Sequence, residues 1–167
     1  MIIRILYMKT AATLLFLVFF VAVQGKQVGQ DFDRQAFYSV LASGNVEEIN
    51  AELTLLGGTS IHEKEAYEGV LLMKKAGFVK LPAEKLKYFK SGRIKLETAL
   101  AKDSLNGEYH FLRLIIQEHA PRVVRYSADL EKDSQIVHHT FHRLSPAAKQ
   151  AVLDYSKKSK ILRPEDF

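Results

Sequence analysis

The chain has 167 residues, no cysteine and a formal net charge of +5 at pH 7. Without cysteine there is no disulfide framework, no lipoprotein acylation site and no cysteine nucleophile. The positive balance is too mild to demand nucleic acid, and no nucleic-acid partner is expected.

The first residues read as a targeting segment. Lys9 gives a positive start, and an almost unbroken apolar run, LLFLVFFVAV, follows Thr13. The run is too short for a membrane span of about 20 residues. Val23-Gln24-Gly25 suits a processing site, so cleavage is expected between Gly25 and Lys26. The alternative is an uncleaved anchor. Met8-Lys9-Thr10 makes a conventional start of its own, which leaves either Met1 or Met8 as the initiator. An exported protein without cysteine fits a bacterial periplasm, or secretion from a bacterium. The expected organisation is a signal peptide over 1–25 and a single all-helical domain over 26–167, long enough to bury a core unaided.

Capped helices then follow one another. Asp31 is placed to cap a helix with Phe32, Ala36, Phe37, Val40 and Leu41 on one stripe, ending at Ser43-Gly44. Asn45 starts a second, with Glu48 at capping-box spacing, Ile49, Leu53 and Leu56 inward, and Gly57-Gly58 as the stop. Ser60 and Glu63 repeat the signature before Ala66, Tyr67, Val70, Leu71 and Met73, and Gly77 ends that helix.

The clearest pattern runs from Leu81 to Glu118. Pro82 suits a first helical position, where its missing N–H would be unpaired anyway. Leu86, Phe89, Leu96 and Leu100 keep one face. Gly92 in that helix costs about 1 kcal/mol relative to Ala, which is understandable if another helix crosses close by. A turn over Ser104–Gly107 precedes Tyr109, Leu112, Ile115 and Ile116, and Pro121 ends the run. Phe89, Gly92, Leu96 and Ala99, followed by Asp103-Ser104-Leu105-Asn106, resemble one unit of the tetratricopeptide repeat over about residues 84–118. That family places an aromatic, a small, a large and an Ala residue before an Asp-Pro-x-Asn turn. Ser104 stands in place of the Pro, residues 77–82 separate this helix from the one before, and the next helix fits with a one-residue shift. The resemblance implies helical hairpins that bind a protein or peptide.

Beyond Pro121, Val123, Val124 and Tyr126 suggest a short turn. Ser127 or Asp129 opens a helix through Leu144, and Ser145-Pro146 restarts another carrying Ala148, Val152 and Tyr155. Residues 161–167 are expected to fray. No stretch alternates with period two, so the fold class is all-α, a helical-repeat-like stack of about six or seven antiparallel helices.

Charge is unevenly spread. Residues 26–68 hold three bases and eight acids, whereas 74–102 hold nine bases and two acids. Either the two segments lie near each other or the basic one meets an anionic partner, such as an anionic envelope surface. For catalysis there is no Gly-x-Ser-x-Gly elbow, phosphate loop or dinucleotide fingerprint. No cofactor is expected. Asp129, Glu131 and Asp133 fit compensation of a helix dipole. His138 and His142, one turn apart with Glu131 on the same stripe, are the candidate metal ligands. His62, His110 and His119 read as surface or boundary residues. The leading expectation is a non-enzymatic exported protein that binds or scaffolds an unknown protein or peptide. The alternatives are metal binding through His138/His142 and attachment to an anionic surface through 74–102.

Overall fold

The computed structural model describes residues 32–167; the expected signal peptide lies outside them. Among the described residues there are seven α-helices, three short 3-10 turns and no strand. We label the helices α1 (Arg34–Ser43), α2 (Val46–Gly57), α3 (Lys64–Ala76), α4 (Pro82–Lys102), α5 (Gly107–His119), α6 (Leu130–Thr140) and α7 (Pro146–Ser156). None of them is long and apolar enough to cross a membrane.

The helix ends follow local side-chain chemistry. Asp33, rather than Asp31, caps α1 by accepting the N–H groups of Gln35 and Ala36. Gly44 closes the helix in the left-handed region at φ 67°, where a side chain would be strained. Asn45 caps α2 as expected, but Glu48 does not complete the box. It accepts instead from the Ser43 hydroxyl at 2.6 Å, and that hydroxyl accepts the Asn45 N–H at 3.2 Å. Glu63, not Ser60, occupies the cap position of α3, and its carboxylate is taken by the Arg34 guanidinium. Asn106 caps α5, and Ser145 with Pro146 starts α7. The helix expected to run to Leu144 ends at Thr140 and tightens into a 3-10 turn over Phe141–Arg143.

The closest helix pair is α3 with α4. A Cβ on Gly69 would sit 2.8 Å from the Gly92 carbonyl oxygen and 2.8 Å from the Leu96 amide nitrogen. One on Gly92 would press on the Gly69 carbonyl and on the backbone of Met73. Two glycines thus let backbone meet backbone, which is the crossing that Gly92 suggested. Contacts at Glu65–Lys102, Glu68–Lys95 and Lys75–Tyr88 show these two helices running in opposite directions.

Helix α5 is the hub. Every residue from Gly107 to Leu114 is buried, so this helix has no polar face in its first two turns. Phe111 meets Tyr38 of α1 and Tyr155 of α7. The C-terminal residues, expected to fray, pack on the core at two points. Leu162 is fully buried, and the Phe167 ring lies 4.8 Å from that of Phe141. Apolar burial after α7 holds this tail to the core.

Candidate functional site

A hub helix buried all round must satisfy its polar side chains from its neighbours. Glu108 accepts the hydroxyls of Tyr38 at 2.7 Å and Tyr67 at 2.6 Å on one oxygen, with Arg34 Nε 3.7 Å away. Burial, and then the charge of Glu108, push both phenols well above their ordinary range, so both remain donors. One turn on, Arg113 grips Asp133 with two bonds of 2.8 and 2.6 Å, and reaches Glu97 at 3.0 Å. Tyr126 donates to the other oxygen of Glu97 at 2.6 Å. His110 Nδ1 lies 2.6 Å from Asp133, and its Nε2 lies 3.0 Å from the Ser104 carbonyl. Both ring nitrogens therefore face oxygen acceptors, and no lone pair is presented to solvent.

Asp133 sits in the first turn of α6, where compensation of the helix dipole was expected, and it is also fully buried and joins α5 to α6. One expectation is corrected here: His110 is no surface or boundary residue, at 2% exposure. Gln117, one turn beyond Arg113, is buried with neither amide atom hydrogen-bonded among the described residues. At the end of α5, Glu118 accepts from the Tyr155 hydroxyl at 2.8 Å, the Ser159 hydroxyl at 2.7 Å and the Lys160 backbone N–H. Burial raises its pKa, but these three donors outweigh that and leave it below the ordinary value.

Among the described residues, one concave feature is a cleft of about 190 Å³ between α1, the end of α3, α5 and α7. Its apolar lining includes Leu41, Ala42, Phe111, Ile115 and Ala151. Gln35, Ser39 and Gln150 are polar, and Lys74 and Lys158 bring two ammonium groups from different parts of the chain. Tyr38 and Tyr155 also line it, but their hydroxyls are committed to Glu108 and Glu118.

The candidate metal ligands lie elsewhere. His138 is in the last turn of α6, exposed, its ring 6.0 Å from that of Phe167. His142 is exposed in the 3-10 turn, past the point where α-helical spacing ends. Glu131 accepts a bond from Gln135 at 3.1 Å. Among the described residues, no three His, Asp or Glu side chains are grouped so as to hold a metal ion.

The nine bases of 74–102 divide by surroundings. Lys95 pairs with Glu68 at 2.7 Å and Lys102 with Glu65 at 2.5 Å, so the acidic and basic segments do meet. Lys75 donates to Asn50 at 2.6 Å, and Arg93 lies over the Tyr126 ring. Lys80, Lys85, Lys87 and Lys90 stay exposed, interspersed with Phe78, Leu81 and Leu86, each at least half exposed.

The cleft escaped the sequence because its lining comes from four separate segments, none of them a motif. A signal for the buried polar system did exist. Over Gly107–Leu114 the polar Glu108, His110 and Arg113 are interleaved around the helix with apolar residues, so burying the apolar ones takes the polar ones inside as well. No family model, no curated protein and no solved structure matches this chain.

Proposed function

We propose that this is a non-enzymatic binding protein, exported after loss of its first 25 or so residues, that seats a peptide or protein segment in the cleft between α1 and α7. The helices form an antiparallel, helical-repeat-like stack, with α4 and α5 as a tetratricopeptide-like hairpin. One observation carries the reading: an open cleft with an apolar floor and polar groups at its edge, lined by residues of a hub helix that internal hydrogen bonds hold rigid. Such pre-organisation lowers the entropic cost of binding. The reading is also supported by His110 and Asp133, the most catalytic-looking pair, being consumed by contacts that tie helices together. The test is selection from a displayed random-peptide library against the protein purified after expression of the full chain. Enrichment of related peptides, abolished by filling the cleft with Ala42→Phe or Ala151→Phe in variants that melt like the parent, is the expected result. Failure to enrich any peptide, with turnover found in a hydrolase and transferase substrate screen, would replace this reading with an enzymatic one.

A second reading has its own observation. Phe78, Leu81 and Leu86 are exposed among Lys80, Lys85, Lys87 and Lys90, the mixture that suits peripheral contact with an anionic envelope surface. Co-sedimentation with phosphatidylglycerol vesicles, lost in high salt and weakened by Lys85→Glu with Lys87→Glu, is expected. Equal sedimentation on neutral vesicles removes this reading.

A further inference from the structure

Resting on the peptide-binding reading, we propose that the cleft recognises the end of a peptide: its C-terminal carboxylate lies between Lys74 and Lys158, and its last, apolar side chain lies on the floor around Phe111 and Ile115.

Lys74, from the last turn of α3, and Lys158, from the turn after α7, line one cavity, and the charge of Lys158 acts on Lys74. Neither has a carboxylate within salt-bridge distance among the described residues, although Lys95, Lys102 and Lys157 each have one. Lys74 is half-buried, and its stem is held in place. Its Nζ lies over the Phe78 ring at 5.8 Å; that ring fills the space a Cβ on Gly44 would take, with the Lys74 Cε beside it, 3.3 Å from that position. Burial, and then the like charge of Lys158, pull the Lys74 pKa below its ordinary 10.5. Lys158 is exposed and Lys74 half-buried, and an anion placed between the two like charges relieves their repulsion.

The other polar groups in the lining do not fill that role. Asp154 is the one carboxylate there; it accepts from Lys157 at 2.7 Å and Gln150 at 2.9 Å, feels the charge of Lys158 without a salt bridge to it, and leaves Lys74 without a carboxylate. The Tyr38 and Tyr155 hydroxyls point to Glu108 and Glu118. Size then selects a chain end over a chain passing through. At about 190 Å³, the cleft is below the roughly 300 Å³ at which sites for drug-sized ligands begin, so it holds one side chain and a head group. An apolar floor beneath a cationic rim disfavours a bare inorganic anion, which would gain nothing from the floor.

Fluorescence anisotropy with three labelled probes tests this. The first is fluorescein-Gly-Ser-Gly-Ala-Leu with a free C-terminus, the second its C-terminal amide, and the third an amidated peptide with one internal Asp. The free acid should bind about tenfold or more tighter than its amide, the size of effect expected for charge-assisted hydrogen bonds. Lys74→Gln and Lys158→Gln, each checked for an unchanged melt, should each abolish that discrimination. Equal binding of acid and amide overturns the carboxylate assignment and leaves peptide binding standing. Tight binding of the internal-Asp amide overturns the chain-end assignment. If none of the three binds, this inference falls, and the library selection decides separately whether peptide binding survives.

Discussion

Asp133 and Gln117 lie on either side of one physical rule: a buried polar group is tolerated when paired and costly when not. Asp133→Ala would leave Arg113 and His110 facing a gap in the core. Breaking a buried pair in this way costs about 3–5 kcal/mol, and the urea midpoint should fall accordingly. Gln117→Met removes an amide without a described partner and keeps the volume. It should raise the midpoint, with a gain in stability of about 1–3 kcal/mol if the desolvation cost is recovered in full. A lowered midpoint would show that the amide serves a polar partner. The sequence concealed both roles. Asp133 stands among acids at a helix start, a pattern that also fits a solvated dipole partner, and nothing local told which carboxylate turns inward. Burial at that point is decided by Arg113, twenty positions away.

At the scale of elements, turn chemistry made most helix boundaries readable. Asn45, Pro82 and Ser145 act locally, and the helix starts they set agree with the structure. Boundaries decided by longer-range contacts were not readable. Glu63 is drawn to Arg34, Glu48 to Ser43, and the 3-10 turn at Phe141 is packed against Phe167. Glycine chemistry gives a matched test of packing at this scale. Gly57 ends α2, and an added Cβ there meets nothing within 4 Å, so Gly57→Ala should be neutral or stabilising by up to about 1 kcal/mol. Gly92→Ala gains the same helix propensity but drives a methyl group into the backbone of α3. It should lower stability by about 1–3 kcal/mol, as overpacking does. Equal thermal shifts for the two variants would mean that α3 and α4 do not touch through their backbones.

For the whole molecule, the end of the chain is secured by one carboxylate. Glu118 has a folded pKa below the ordinary 4.5, so its contribution to stability is fully present above that value. The contribution is lost as pH falls through the lower, folded value, when protonation weakens its hold on Tyr155, Ser159 and the Lys160 N–H. Acid titration of the unfolding midpoint should therefore show a slope below about pH 4.5 that Glu118→Gln flattens. An unchanged slope in that variant would assign the acid sensitivity to other carboxylates. Fraying was expected of residues 161–167 because Leu162 and Phe167 are apolar in a segment with no helical period, so sequence pattern held no sign that they pack on the core.

The burial of α5 on all sides also sets a clock. An amide inside it can meet solvent deuterium only when α1, α3, α4, α6 and α7 have let go together, so its exchange reports unfolding of the entire described domain. The exposed first turns of α4 can open on their own and should exchange orders of magnitude sooner. Mass spectrometry after deuterium labelling should find the slowest peptide over Gly107–Leu114, its protection falling with urea at the slope of global denaturation. Protection equal to that of the start of α4 would mean that α5 opens locally and is not the hub.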